Sequence, residues 1–158
     1  MSRNFYSEIN LHIVWHTKNS LPLLTPQVEP IAHRCLKKRI VQTPEVFVHE
    51  IGGTETHVHL AVTIPPTLTI SEFIGLLKGG CSHDVNQQVG RRDKTLQRQT
   101  GYGVVSFGTG DLDWVIAYIR NQRVHHDKQT AQDRLGRITR HDDGPAGPQA
   151  QAERREGP

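Results

Sequence analysis

Two stretches of the chain alternate between inward and outward positions in the manner of half-buried strands. In residues 9–17, INLHIVWHT, Ile9, Leu11, Ile13 and Trp15 share one parity, and Asn10, His12, Val14 and His16 share the other. In residues 57–64, Val58, Leu60, Val62 and Ile64 share one parity, and His57, His59, Ala61 and Thr63 the other. Two further short strands are expected at 46–51 (VFVHEI) and 101–107 (GYGVVSF). GGTE between 46–51 and 57–64 reads as a turn, so these strands form a hairpin.

Three segments carry helical spacing instead. One begins between Thr25 and Pro30, has Val28, Ile31, Cys35 and Leu36 as its apolar stripe, and stops before Pro44. A second opens on a T-x-x-E capping box, Thr69 and Glu72, and its stripe is Ile70, Phe73, Ile74, Leu77 and Cys81. The third follows the turn GTGD, runs from 111 to about 127, and has Leu112, Val115, Ile116 and Ile119 as its core stripe. The order β-α-β-β-α-β followed by a helix predicts an α+β, ferredoxin-like (RRM-like) fold. It is a four-stranded antiparallel sheet with two helices on one face, plus a C-terminal tyrosine-bearing helix. Beyond residue 128 the periodicity stops. DDGPAGPQAQAERREGP holds glycine, proline and charge with hardly an apolar side chain, so 128–158 is expected to be a disordered tail.

Composition changes this picture little. A formal charge of +3 and a pI near 9.1 favour an anionic partner. Cys35 and Cys81 make neither a disulfide framework nor a metal-spacing motif. With no apolar run of membrane length and no signal-like start, the expectation is a cytoplasmic protein without a membrane partner. No glycine-rich phosphate loop precedes a helix, so no nucleotide cofactor is expected.

The candidate chemistry begins with H-x-H. If the helices cover the face of Val58, Leu60, Val62 and Ile64, then His57 and His59 point to the open face. Two imidazoles two residues apart on a rigid strand can reach one metal ion; a solvated polar face is the simpler reading of the pair alone. His12 and His16 on the first strand are read as non-ligands. In the last helix, DLDWVIAYIRNQRVHH, Tyr118 and Gln122 are one turn apart on one face that flanks the apolar stripe, with His125 near it.

THVHLAVTIPP, SEFIGLLKGG, GYGVVSF and WVIAYIRNQRVHH, in this order and at these distances, resemble the insertion-sequence-200-like transposases. These are single-tyrosine enzymes of the HUH superfamily. The resemblance covers about residues 5–127, so residues 1–127 are expected to be one HUH transposase domain. It implies metal ligands at His57, His59 and Gln122, a nucleophile at Tyr118, and Mg²⁺ or Mn²⁺ as the cofactor. It further implies a homodimer that cuts single-stranded DNA next to a hairpin, leaving a 5′-phosphotyrosine and a free 3′-OH, and rejoins it to another end. The sequence departs from the family pattern at Thr56, where an acidic residue commonly stands before the first histidine (Glu55 is one further back), and at Arg98, near which many members have a tryptophan.

The residue types suit that chemistry. A phenol titrates near pH 10 and must lose its proton as it attacks, which a nearby cation assists. Imidazole suits softer ions than Mg²⁺, so Mn²⁺ should bind at least as well. A covalent phosphotyrosine conserves bond energy, so rejoining needs no ATP. For DNA contact the basic residues are Lys37 and Lys38 beside Arg39 on the first helix and Lys78 on the second. Arg91, Arg92, Lys94 and Arg98 lie in the linker, and Arg120 and Arg123 flank the tyrosine. Three rival readings stand beside this one. The first is a domesticated relative acting on repetitive palindromic hairpins. The second is a non-catalytic RRM-like nucleic-acid binder, which would want aromatics on the open face of the central strands. The third is a metal hydrolase without a tyrosine intermediate. Tyr102, at a strand start without a glutamine one turn away, reads as a packing or base-stacking residue, and Tyr6 is remote.

Overall fold

A computed structural model describes residues 5–89, 96–97 and 100–122. In chain order the main elements are β1 (Ile9–His16), α1 (Glu29–Val41), β2 (Phe47–Gly53), β3 (His57–Ile64), α2 (Ile70–Val89), β4 (Gly103–Phe107) and α3 (Leu112–Arg120). The strands form one sheet in the order β2-β3-β1-β4, with every neighbouring pair antiparallel. This is the ferredoxin-like arrangement that the element order predicts.

Alternation decides what each sheet face meets. Leu11, Ile13 and Trp15 of β1 join Val58, Leu60, Val62 and Ile64 of β3 in the main core. Ala32, Cys35, Leu36 and Ile40 of α1 and Phe73, Ile74, Leu77, Cys81 and Val85 of α2 close over them. Full burial of each large aliphatic side chain contributes roughly 1.5–3 kcal/mol. Pro30 stands in the first turn of α1, where a missing N–H costs nothing. Helix α2 starts directly after Thr69, whose carbonyl accepts from Phe73 N–H at 3.0 Å.

The opposite sheet face carries a second, smaller cluster. Ala61 of β3 packs there with Val115 and Ile119 of α3, and Phe107 leans against them. Helix α3 therefore lies across the face that α1 and α2 leave open, against β2 and β3 of its own chain. A glycine permits this approach: a Cβ on Gly52 would lie 2.6 Å from the Ile119 carbonyl oxygen.

Two expectations need correction. Gly52 and Gly53 are not part of the turn; they pair with His59 and Val58 and extend β2, leaving residues 54–56 as the connection. Gly53 takes a φ of +143°, which an L side chain rarely adopts. The buried side of α3 is also displaced from the expected stripe. Val115, Tyr118, Ile119 and Gln122 are buried, whereas Leu112 and Ile116 are only partly so. These four positions follow i, i+3, i+4, i+7 spacing, so Tyr118 and Gln122 lie within the packed face and not beside it. The expected tail at 128–158 and the continuation of α3 to about 127 lie outside the described residues. Among the described residues, no helix is long and apolar enough to cross a membrane.

Candidate active site

The site grows from the register of β1 on β3. His16 pairs with His57 and Val14 with His59, so His12 is the diagonal neighbour of His59 on the same face. The rings gather accordingly. His16 stacks on His57 with centroids 5.3 Å apart, and His57 and His59 lie 4.9 Å apart at 69°. His12 and His59 are also 4.9 Å apart, and His12 Nε2 meets His59 Nδ1 at 2.7 Å. Burial pushes the His12 imidazole down to about 4, so it is neutral at neutral pH and keeps a lone pair to offer.

The two H-x-H side chains are oriented from the same side. Nδ1 of His59 faces His12, while Nδ1 of His57 lies 2.9 Å from Thr54 Oγ1 and 3.0 Å from Thr56 Oγ1. With both Nδ1 atoms engaged by protein groups, Nε2 is the nitrogen that each ring would present to a cation. Thr56 thus orients His57 at the position where an acidic residue was expected, and Glu55 is exposed in the connection.

Helix α3 supplies the other half. The Tyr118 ring stands edge-on to His12 and His59, with centroid distances of 6.1 and 6.2 Å. Tyr118 is 4% exposed and Gln122 1%. The Gln122 amide donates from Nε2 to the Tyr118 carbonyl at 3.0 Å, and its buried Oε1 has no hydrogen-bond partner among the described residues. A buried amide oxygen left without a donor costs about 1–3 kcal/mol. Among the described residues, no group of three or more histidine, cysteine, aspartate or glutamate side chains is placed to hold a metal. A cation here would therefore draw on two imidazoles and an amide oxygen. That mixed nitrogen and oxygen set fits a divalent ion with coordination positions left over.

The family model of IS200-like transposases matches residues 5–122. The chain belongs to that family. Two solved structures share the fold of this IS200-like transposase. One is a protein of Deinococcus radiodurans R1 provisionally assigned as a transposase. It is 19% identical, with a TM-score of 0.60, over 77% of this chain and 96% of the other. The second is a REP-associated tyrosine transposase bound to a REP hairpin, 17% identical with a TM-score of 0.55, over 80% of this chain and 73% of the other. No curated protein matches the sequence.

The structure brings His57, His59 and Tyr118 of this transposase together on one sheet face, with Gln122 buried one turn beyond Tyr118, and α3 reaches that face within its own chain. The basic residues are scattered by comparison. Lys37 and Lys38 are exposed on α1, across the sheet from the histidines. Arg120 is exposed but bonds Glu50 of β2 through Nε at 2.8 Å. Lys78 is corrected: it is 2% exposed and donates from Nζ to the Gly101 carbonyl at 2.7 Å, so its ammonium ties α2 to the chain before β4 and offers nothing to a phosphate. Arg39 is paired with Asp84. Arg91, Arg92, Lys94, Arg98, Arg123 and His125 lie outside the described residues. Tyr102 packs against the main core, and Tyr6 is 84% exposed. Sequence reasoning missed the hydrogen bond from β1 to His59. Alternation put His12 on the right face, but only strand register makes it a neighbour of His59.

Proposed function

We propose that this transposase cleaves and rejoins single-stranded DNA beside a hairpin, with Tyr118 as nucleophile and His57, His59 and Gln122 as holders of Mg²⁺ or Mn²⁺. The observation that carries the reading is the Tyr118 ring set against His59 by a helix whose next turn places a buried amide oxygen without a partner among the described residues. Tyr118 Oη attacks the phosphorus, the bond from phosphorus to the 3′ oxygen breaks, and the 5′ phosphate stays on the phenol oxygen. The phenol loses a proton and the departing 3′ oxygen gains one. Rejoining is the reverse step with a different 3′-OH. The divalent ion, when bound, polarises the scissile phosphate as a Lewis acid. His12, Thr54 and Thr56 engage Nδ1 of the two imidazoles, so Nε2 is the nitrogen that each would turn to it.

A hairpin substrate is supported by the REP-associated relative, which was captured on a REP hairpin. That relative equally supports a domesticated enzyme acting on repetitive palindromes as the second reading. A homodimer is part of the proposal and rests on the family resemblance. The test is cleavage of single-stranded DNA from the flanks of the gene. The expected products are a free 3′-OH and a 5′ end that phosphatase and kinase cannot act on. EDTA and the His57→Ala and His59→Ala variants should each reduce cleavage by more than a hundredfold. Binding without cleavage by the wild-type protein, with Mn²⁺ present, would favour a non-catalytic RRM-like binder.

A further inference from the structure

Trp114 is a large aromatic side chain left 51% exposed on α3, one turn before Tyr118. Its indole lies nearly parallel to the Tyr118 ring, at 15° with centroids 5.3 Å apart. One aromatic therefore backs onto the proposed nucleophile while half its surface faces solvent. The surroundings narrow what that surface can take. Asp111 at the N-cap of α3 and Asp113 in its first turn are both exposed and repel phosphate, so the patch does not suit a backbone contact. A nucleobase is neutral and offers a π-face, and stacking on an exposed tryptophan is the contact that fits it.

We propose that Trp114 is the stacking platform for an unpaired base next to the phosphate that Tyr118 attacks. The position of the cut rests on the reading of Tyr118 as nucleophile; the stacking itself needs no chemistry. A nucleotide whose phosphate reaches the phenol carries its base close to the indole, so the same aromatic pair selects single-stranded over paired DNA and sets the position of the cut.

Fluorescence offers a direct test because the chain has two tryptophans, and Trp15 is buried in the main core at 5% exposure. Oligodeoxythymidine should quench the emission of Trp114, and a Trp114→Phe variant, which keeps only Trp15, should show little change. Affinity for oligodeoxythymidine should exceed that for an abasic strand of equal length by about tenfold or more. Trp114→Ala should abolish that difference, and Trp114→Phe should restore most of it. Equal preference for bases in wild type and Trp114→Ala would overturn the proposal, as would unquenched emission at saturating strand. If Trp114→Ala does not fold, Trp114→Phe and the abasic comparison on the wild-type protein still decide it. Loss of base preference in Trp114→Ala without any cleavage by wild type would sink the nucleophile reading and leave the stacking site standing. Cleavage with base preference intact in Trp114→Ala would do the reverse.

Discussion

At the scale of single residues, His59 is held by its hydrogen bond to His12, and this bond makes the clearest prediction. His12→Phe removes the nitrogen that faces His59 Nδ1 at 2.7 Å and weakens the hold on the His59 ring. Mn²⁺ affinity, read by calorimetry or electron paramagnetic resonance, should fall about 10- to 100-fold, as for other loss of groups that orient a ligand. His12→Asn, which restores an acceptor, should recover part of it. Unchanged affinity in His12→Phe would mean that His59 is oriented by something else. Cys81 gives a second prediction. Burial pushes its thiol up to about 12, and it donates to the Ala32 carbonyl, so it should resist alkylation in the native protein and react only on unfolding. The candidate residues stand out in the sequence because H-x-H and the Tyr118–Gln122 spacing are local. The groups that orient them do not, because the contact between His12 and His59 spans 47 residues and depends on how β1 is registered on β3.

At the scale of elements, α3 is positioned by a close approach and an ion pair. Ile119 sits over Gly52, and Arg120 reaches Glu50. Gly52→Ala puts a methyl 2.6 Å from a backbone oxygen, which must move. It should cost about 1–3 kcal/mol by denaturant unfolding and reduce cleavage more than it reduces DNA binding, because it lifts Tyr118 away from the histidines. Wild-type stability and cleavage in Gly52→Ala would show that α3 can shift without consequence. The strands and helices follow from alternation and helical spacing, and their order gives the fold. A glycine pair is a turn signal by propensity, yet here Gly52 stays in β2 because α3 needs the space. Hydropathy alone marks Leu112 and Ile116 for the buried face of α3, but a tyrosine and a glutamine complete it instead.

At the scale of the whole molecule, two layers share one sheet. The α1 and α2 side forms the main core, and the α3 side carries the proposed site. The sheet thus separates the main core from the proposed site, and Arg39–Asp84 belongs to the core layer, bridging α1 to α2 through two hydrogen bonds of 2.7 and 3.0 Å. Hydrogen bonding to Arg39 holds the Asp84 carboxyl below its ordinary value of 3.8. The unfolded chain then binds more protons than the folded one as acid is added. The contribution is fully present above pH 3.8 and is lost as pH falls through the lowered folded value. Asp84→Asn should therefore lower Tm at pH 6, and the gap to wild type should narrow near pH 3. A gap that does not depend on pH would contradict the pairing. Charge was the least legible property at this scale. A count of lysines and arginines does not reveal that Lys78 is interior, or that Arg39 and Arg120 are engaged by carboxylates.

The proposed mechanism requires that Tyr118 become covalently joined to DNA. Single-stranded DNA from the flanks of the gene, incubated with the protein and Mn²⁺, should give a protein–DNA adduct that survives denaturation. Peptide mass spectrometry should place it on Tyr118, and Tyr118→Phe should form none. An adduct on Tyr102 or Tyr6, or undiminished cleavage by Tyr118→Phe, would contradict the account.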